Sequence, residues 1–139
     1  MDWIEQHVAI GNYLEAKDRD LLRREGIHSV LSLDGTLSGT TPDSLGLRAI
    51  EVIRLADGPG NDKRLMNLAI NALSRLAKEA SPVLVQCHAG RSRSVVVVAG
   101  YLMRHARISA QDALHRVLAK RESNVTPCLV DLLENVSPS

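Results

Sequence analysis

Two spacings of apolar residues alternate along the chain. Short apolar or alternating runs at residues 4–10, 28–33, 50–55 and 83–86 read as strands. The first ends in the turn residue Gly11, and the last, opened by Pro82, is apolar enough to be covered on both faces as the central strand. Between and after them the period changes. Leu65, Leu68, Ala69, Ala72, Leu73, Leu76 and Ala77 are spaced as one face of a helix over residues 65–80, with Asn61 or Asp62 as its cap. A short helix over 18–25, with Leu21 and Leu22 inward, ends at Gly26. Residues 92–105 form a largely apolar helix, Ser109 with Asp112 opens another over 110–120, and a last short helix spans 127–134 before a tail at 136–139. Residues 34–46 are rich in Gly, Thr, Ser and Pro and read as loop, and 57–62 as a turn. Strands alternating with helices predict an α/β fold, with a mostly parallel central sheet flanked by helices on both faces. No repeat or linker divides the chain, so residues 1–139 are expected to form one domain.

Composition narrows the function classes. At 139 residues, 45% hydrophobic and 24% charged, the chain can bury a core as a soluble domain. A net charge of +1 offers no bulk attraction to nucleic acid or to a membrane surface, and neither partner is expected. Two cysteines, Cys87 and Cys128, do not make a disulfide framework and fit a reducing compartment. The segment from Met1 to Glu5 has no basic region or apolar core of a signal peptide, and no apolar run reaches membrane-spanning length, so no membrane anchor and a cytoplasmic location are expected. The oligomeric state is left open, with a monomer favoured. Phe is absent, which leaves Trp3, Tyr13 and Tyr101; of these Trp3 and Tyr13 are the candidates for a pocket wall, or else pack in the core or at its rim.

The candidate chemistry lies where the central strand ends. Pro82-Val-Leu-Val-Gln-Cys87-His-Ala-Gly90-Arg-Ser-Arg93-Ser94 reads as strand, tight loop and helix start. Gly90 permits the turn, and Ser92 or Ser94 can cap the helix. Backbone N–H groups converging at a helix N-terminus make an electropositive cup, which favours a thiolate and binds a phosphate dianion. Arg93, six residues after Cys87, returns a planar fork over the same cup. The bland alternative is a buried strand-end cysteine beside an ordinary loop. The stretch lacks the G-x-x-x-x-G-K-[ST] nucleotide loop. Cleaving a phosphate ester at Cys87 would also require a proton donor for the leaving oxygen. Asp57, where a strand meets the Gly58-Pro59-Gly60 turn, is placed for this or is simply a turn residue, and Asp62 is its rival or a helix cap. His7, His28, His105 and His115 lack ligand spacing, so no metal and no cofactor are expected. Cys128 reads as a buried cysteine or as a resolving thiol for oxidised Cys87.

The run from Cys87 to Ser94 resembles the signature H-C-x-x-G-x-x-R-[ST] of the cysteine-dependent protein tyrosine phosphatase superfamily, in the form most similar to the dual-specificity phosphatases. Ile4 to Gly11 resembles the family's opening strand, and Gly26-Ile27 followed by Val30-Leu31 its "GI-x-x-VL". The resemblance covers nearly the whole chain and implies a phosphatase-type Cys loop between central strand and helix. It implies Cys87 as nucleophile, Arg93 with the amides of His88, Ala89, Gly90, Arg91 and Ser92 as phosphate holders, Asp57 as general acid, and Ser94 as the hydroxyl that assists thiol departure. His88 and Arg91 occupy variable positions whose side chains are expected to face substrate, and Arg121 resembles a late structural arginine of the family. The implied reaction is hydrolysis of phosphotyrosine, and of phosphoserine or phosphothreonine, in phosphoproteins or other phosphomonoesters through a phosphocysteine. The pattern departs from the family at Gln86, where His is usual and helps set the thiolate. That departure motivates a first alternative, a phosphate-recognition module with little turnover. The second, a rhodanese-type sulfur transferase, is opposed by Asp57 and the Ser92-Arg93-Ser94 run.

Overall fold

The structure is a computed structural model that describes residues 1–123, 125 and 127–136. Of the tail expected over 136–139, residues 137–139 lie outside the described residues. Strands β1 (Asp2–Glu5), β2 (Val8–Gly11), β3 (Ser29–Ser32), β4 (Ala49–Val52) and β5 (Val83–Gln86) form one sheet in the order β1-β2-β5-β3-β4. Three of its pairings are parallel, and β1 pairs antiparallel with β2. The single strand expected over 4–10 is therefore a hairpin that starts at Asp2. Gln6 and His7 are both exposed and form its turn. A polar pair inside an alternating run looks the same whether the chain continues or folds back.

The helices are α1 (Tyr13–Ala16), α2 (Arg19–Arg24), α3 (Lys63–Glu79), α4 (Arg93–Ala106), α5 (Ala110–Leu118) and α6 (Pro127–Val130), the last continuing as a 3-10 turn over Asp131–Asn135. A further 3-10 turn, Pro42–Leu45, sits within the expected loop. Local chemistry sets the helix starts. Asn12 and Glu15 make a reciprocal capping box, and Asp18, Asp62 and Ser109 each accept a backbone N–H in the first turn that follows. Among the described residues no helix is long and apolar enough to cross a membrane.

Alternation along the strands builds two cores. Val8, Ile10, Leu31, Val83 and Val85 pack with α3, α4, α5 and α6 on one face. Ala9, Val30 and Leu84 pack with Ala16 of α1, Leu22 of α2, Leu37 and Leu47 on the other. Each face is thus covered, as a parallel sheet requires. After β2 the chain leaves toward the second face, and after β5 toward the first. Their carboxyl ends therefore border a crevice at a topological switch point, the usual position for a site in an open α/β sheet.

Candidate active site

Cys87 is the first residue beyond β5 and opens that crevice, only 2% exposed. The loop behind it is held from the rear. The His88 carbonyl accepts the Tyr13 amide at 3.0 Å. Arg121 donates from Nη2 to the Ala89 carbonyl at 3.4 Å and from Nε to the Gly90 carbonyl. Its Nη1 donates to Asp2 Oδ2 at 2.9 Å and to the Ile10 carbonyl at 3.2 Å, which fastens the loop to β1 and β2. In a planar trans peptide the N–H points opposite the C=O. Three carbonyls drawn backward turn the amides of Ala89, Gly90 and Arg91 forward, into the cup. Gly90 makes this possible with φ of 67°. A Cβ there would lie 2.6 Å from the Gly11 carbonyl oxygen and 2.7 Å from Arg121 Nη2.

In front, Cys87 Sγ and the buried Ser94 Oγ are 2.7 Å apart. Ser92 occupies the N-cap position of α4, but its side chain makes no capping bond because the backbone there, with φ −138° and ψ −73°, is not extended. Ser94, the other expected cap, lies against the thiol instead. Arg93 starts α4 and donates from Nη1 to the Leu55 carbonyl at 3.1 Å. Its Nε is buried with no acceptor among the described residues. Such a donor is costly to bury unless an acceptor completes it, and an oxyanion in the cup is an acceptor of the right charge. The α4 N-terminus adds its own preference for negative charge.

A cavity of about 250 Å³ opens here, lined by Asp57, Cys87, His88, Ala89, Arg91, Ser92 and Arg93. Ser94 and Gly90 lie beneath and behind it. Clefts of about 370 Å³ beside Arg19 and about 500 Å³ between α3 and α4 are larger but hold no cysteine. The turn bearing Asp57 is braced by Asn61, whose Oδ1 accepts the Ala56 amide at 2.8 Å and whose Nδ2 donates to the Ala56 carbonyl at 2.6 Å. Asp62 faces the α3 N-terminus and caps Leu65 N at 2.8 Å. The structure thus brings Asp57, and not Asp62, to the cysteine loop.

Two features of the site have no counterpart in the motif. The Tyr13 ring stacks on His88 with centroids 4.4 Å apart and planes 3° from parallel, and Lys17 Nζ lies 5.9 Å from the same ring. Trp3, the other ring considered for a wall, donates to Glu25 Oε2 at 3.1 Å and packs against the second core. The second feature is a polar network around the fully buried Gln86. Ser32 Oγ donates to Gln86 Oε1 at 2.6 Å, and Gln86 Nε2 donates to Asp34 Oδ1 at 3.0 Å and to Thr36 Oγ1 at 3.4 Å. Burial alone would push the Asp34 carboxyl up. The Thr36 amide, the Gln86 and Thr36 side chains and the Arg93 charge outweigh it and hold the group below its usual value. No local pattern could reveal either feature, since each joins residues far apart in the chain. Cys128, in α6, is a half-buried free thiol.

The family model "Dual specificity phosphatase, catalytic domain" matches residues 11–131. The mouse protein "Dual specificity protein phosphatase 22" is 34% identical over 113 residues, which are 81% of this chain and 59% of that protein. Arabidopsis thaliana "Dual specificity protein phosphatase 1" is 26% identical over 118 residues, 85% of this chain and 59% of its own. The chain therefore spans about three-fifths of these two relatives. The crystal structure of human DUSP28 superposes with a TM-score of 0.84 at 22% identity, covering 98% of this chain and 94% of that one, which shows a shared fold.

Proposed function

The chain belongs to the dual-specificity phosphatase family, and from that premise we propose that it hydrolyses phosphate monoesters through Cys87. The substrate is read as a phosphoprotein carrying phosphotyrosine, with phosphoserine and phosphothreonine as further candidates, and the chain as one cytoplasmic catalytic domain. The observation that carries this reading is the orphaned Arg93 Nε beside a buried Cys87 Sγ that lies 2.7 Å from Ser94 Oγ at a helix N-terminus. It joins a nucleophile to an anion receptor within eight consecutive residues.

In the first step the Cys87 thiolate attacks phosphorus, an S–P bond forms, and the P–O bond to the leaving group breaks while Asp57 gives that oxygen a proton. The forward amides and Arg93 hold the three equatorial oxygens as charge builds on them. In the second step Asp57, now a carboxylate, takes a proton from water as the water oxygen attacks phosphorus. The S–P bond breaks, and Ser94 donates to the departing thiolate. The nucleophile, the acid and base, and the holders of the phosphate oxygens are all groups of this chain, and water completes the hydrolysis.

The test compares Cys87→Ser and Asp57→Asn on phosphotyrosine peptide and on nitrophenyl phosphate, in EDTA with a reductant. Cys87→Ser abolishes turnover and still binds tungstate. Asp57→Asn slows the peptide, whose leaving group has a pKa of about 10, by roughly 100-fold or more. It slows nitrophenyl phosphate far less, because that leaving oxygen scarcely needs a proton. Tungstate binding without phosphate release by the unaltered chain would identify a recognition module instead.

A further inference from the structure

Gln86 is a fully buried primary amide in the position next to the nucleophile. Its side chain does not approach the thiol. It shares a sheet face with Leu84, in the second core, whereas Cys87 packs in the first. On that face it pairs across the sheet with Ser32 of β3, and its main-chain carbonyl accepts the Leu33 amide at 2.7 Å. The amide oxygen is taken by Ser32, and the amide nitrogen spends its shorter bond on Asp34. Asp34 is itself fixed by the Thr36 amide, which donates to the same Oδ1 at 2.8 Å. The loop carrying Asp34 is seated by the buried Leu37 and by Arg54, which donates to Ser38 Oγ at 2.9 Å and lies close over Gly35.

We propose that Asp34 is a positioning residue for the Cys87 loop: its carboxylate, pinned by Thr36, anchors the Gln86 amide and thereby the peptide unit on which the nucleophile is carried. The inference rests on the reading of Cys87 as the nucleophile. The physical ground is the cost of a buried amide with an unfilled donor, which makes one orientation of residue 86 strongly preferred. A rotation at residue 86 moves Cys87 relative to the forward amides and Arg93, and displacements of about 1 Å at a reacting group cost on the order of 100-fold in rate. Charged groups around the loop include Arg91 and Arg93 within it, Asp57 across the cavity, Arg121 behind it with its partners Asp2 and Glu15, and Asp34 itself.

The test uses Asp34→Ala and Asp34→Asn in the full chain. Asp34→Ala removes the acceptor and lowers kcat on nitrophenyl phosphate by roughly 10- to 100-fold, with KM changed less than about threefold. Asp34→Asn keeps an oxygen where Oδ1 stands and restores kcat to within about threefold of the parent. Alkylation of Cys87 by iodoacetate at pH 7, which needs no turnover, follows the same order. Removing a negative charge would by itself speed that alkylation, so a slower Asp34→Ala reports the lost anchor. Full kcat in Asp34→Ala overturns the proposal. So does an Asp34→Asn as impaired as Asp34→Ala while thermal melting shows both folded. If Asp34→Ala does not fold, Asp34→Asn decides alone by its kcat and alkylation rate. If the parent releases phosphate from no substrate, the phosphatase reading fails, and the alkylation order still judges Asp34.

Discussion

The 2.7 Å contact between Cys87 Sγ and Ser94 Oγ assigns one residue to one half of the reaction. A hydroxyl that close stabilises a thiolate whenever one is present, and a leaving thiolate is made only in the second step. A hydrogen bond to a charged group contributes about 1.5–3 kcal/mol. Ser94→Ala is therefore expected to slow breakdown of the phosphocysteine roughly 10- to 100-fold and its formation much less. Rapid mixing with nitrophenyl phosphate shows a burst of nitrophenolate and then a slow steady state; a linear trace with normal kcat would remove Ser94 from that role. At this scale much was legible, because Cys87, Arg93 and Ser94 lie within eight residues and the phosphate cup is a local structure. Asp34 was not legible as a site neighbour, and Tyr13 was legible only as one of two rings that could reach the pocket, not as the partner of His88. Asp34 reaches Gln86 only because β5 inserts between β2 and β3, and Tyr13 reaches His88 only because β2 and β5 are adjacent.

Between elements, α3 and α4 meet through a polar contact at the edge of their apolar seam. Ser74 Oγ and His105 Nε2 are 2.9 Å apart, and His105 tilts against Tyr101 at 4.3 Å. Partial burial and the neighbouring Arg104 lower the His105 pKa below its ordinary value, with Glu5 acting weakly the other way. Its proton is therefore bound more readily in the unfolded chain. Stability from this group is fully present above the unfolded value of about 6.5 and is lost as pH falls from there toward the lower folded value, then levels off. The effect is small, since much of the His105 surface still faces solvent and only part of the ring is covered. Melting temperatures between pH 8 and 5 should decline through this window in the parent and less so in His105→Gln; parallel curves would dismiss the coupling. The elements themselves followed the sequence where their period was long. The expected helix over 65–80 is found as Lys63–Glu79 and that over 92–105 as Arg93–Ala106. The short helix over 18–25 is found as Arg19–Arg24, but another short piece was missed. Helix α1 has four residues, too few for a period, and rests on the Asn12–Glu15 capping box.

For the whole molecule, the central sheet is shared by two cores that do not touch except through it. Leu84 faces one and Leu73 of α3 lies in the other, and both are fully buried. If the described residues form one domain, removing either side chain destabilises the same cooperative unit. Leu84→Ala and Leu73→Ala should each cost about 2–5 kcal/mol. Trp3, the sole tryptophan, packs against the Leu84 core, whereas circular dichroism reports chiefly the helices of the other. Urea unfolding followed by the two should coincide in the parent and in both variants. Separate midpoints would mean that the faces melt independently. The α/β architecture was legible from alternating periods, but strand order was not, because apolar runs state which faces are buried without stating which strand is whose neighbour.

Gly90 lies far from residue 11 in the chain and sits directly against its main chain. The carbonyl of residue 11 would strike any side chain at position 90, and Arg121, from a third segment, closes the same gap. Evolution by recombination meets this as a single inherited block in three pieces. A chimera that draws its cysteine loop from one relative and its second strand from another survives only if the loop parent kept glycine at position 90 and the strand parent sets its carbonyl at position 11 no closer than it stands here. Crossovers between residues 11 and 90 are thus filtered by a contact that no fragment carries alone.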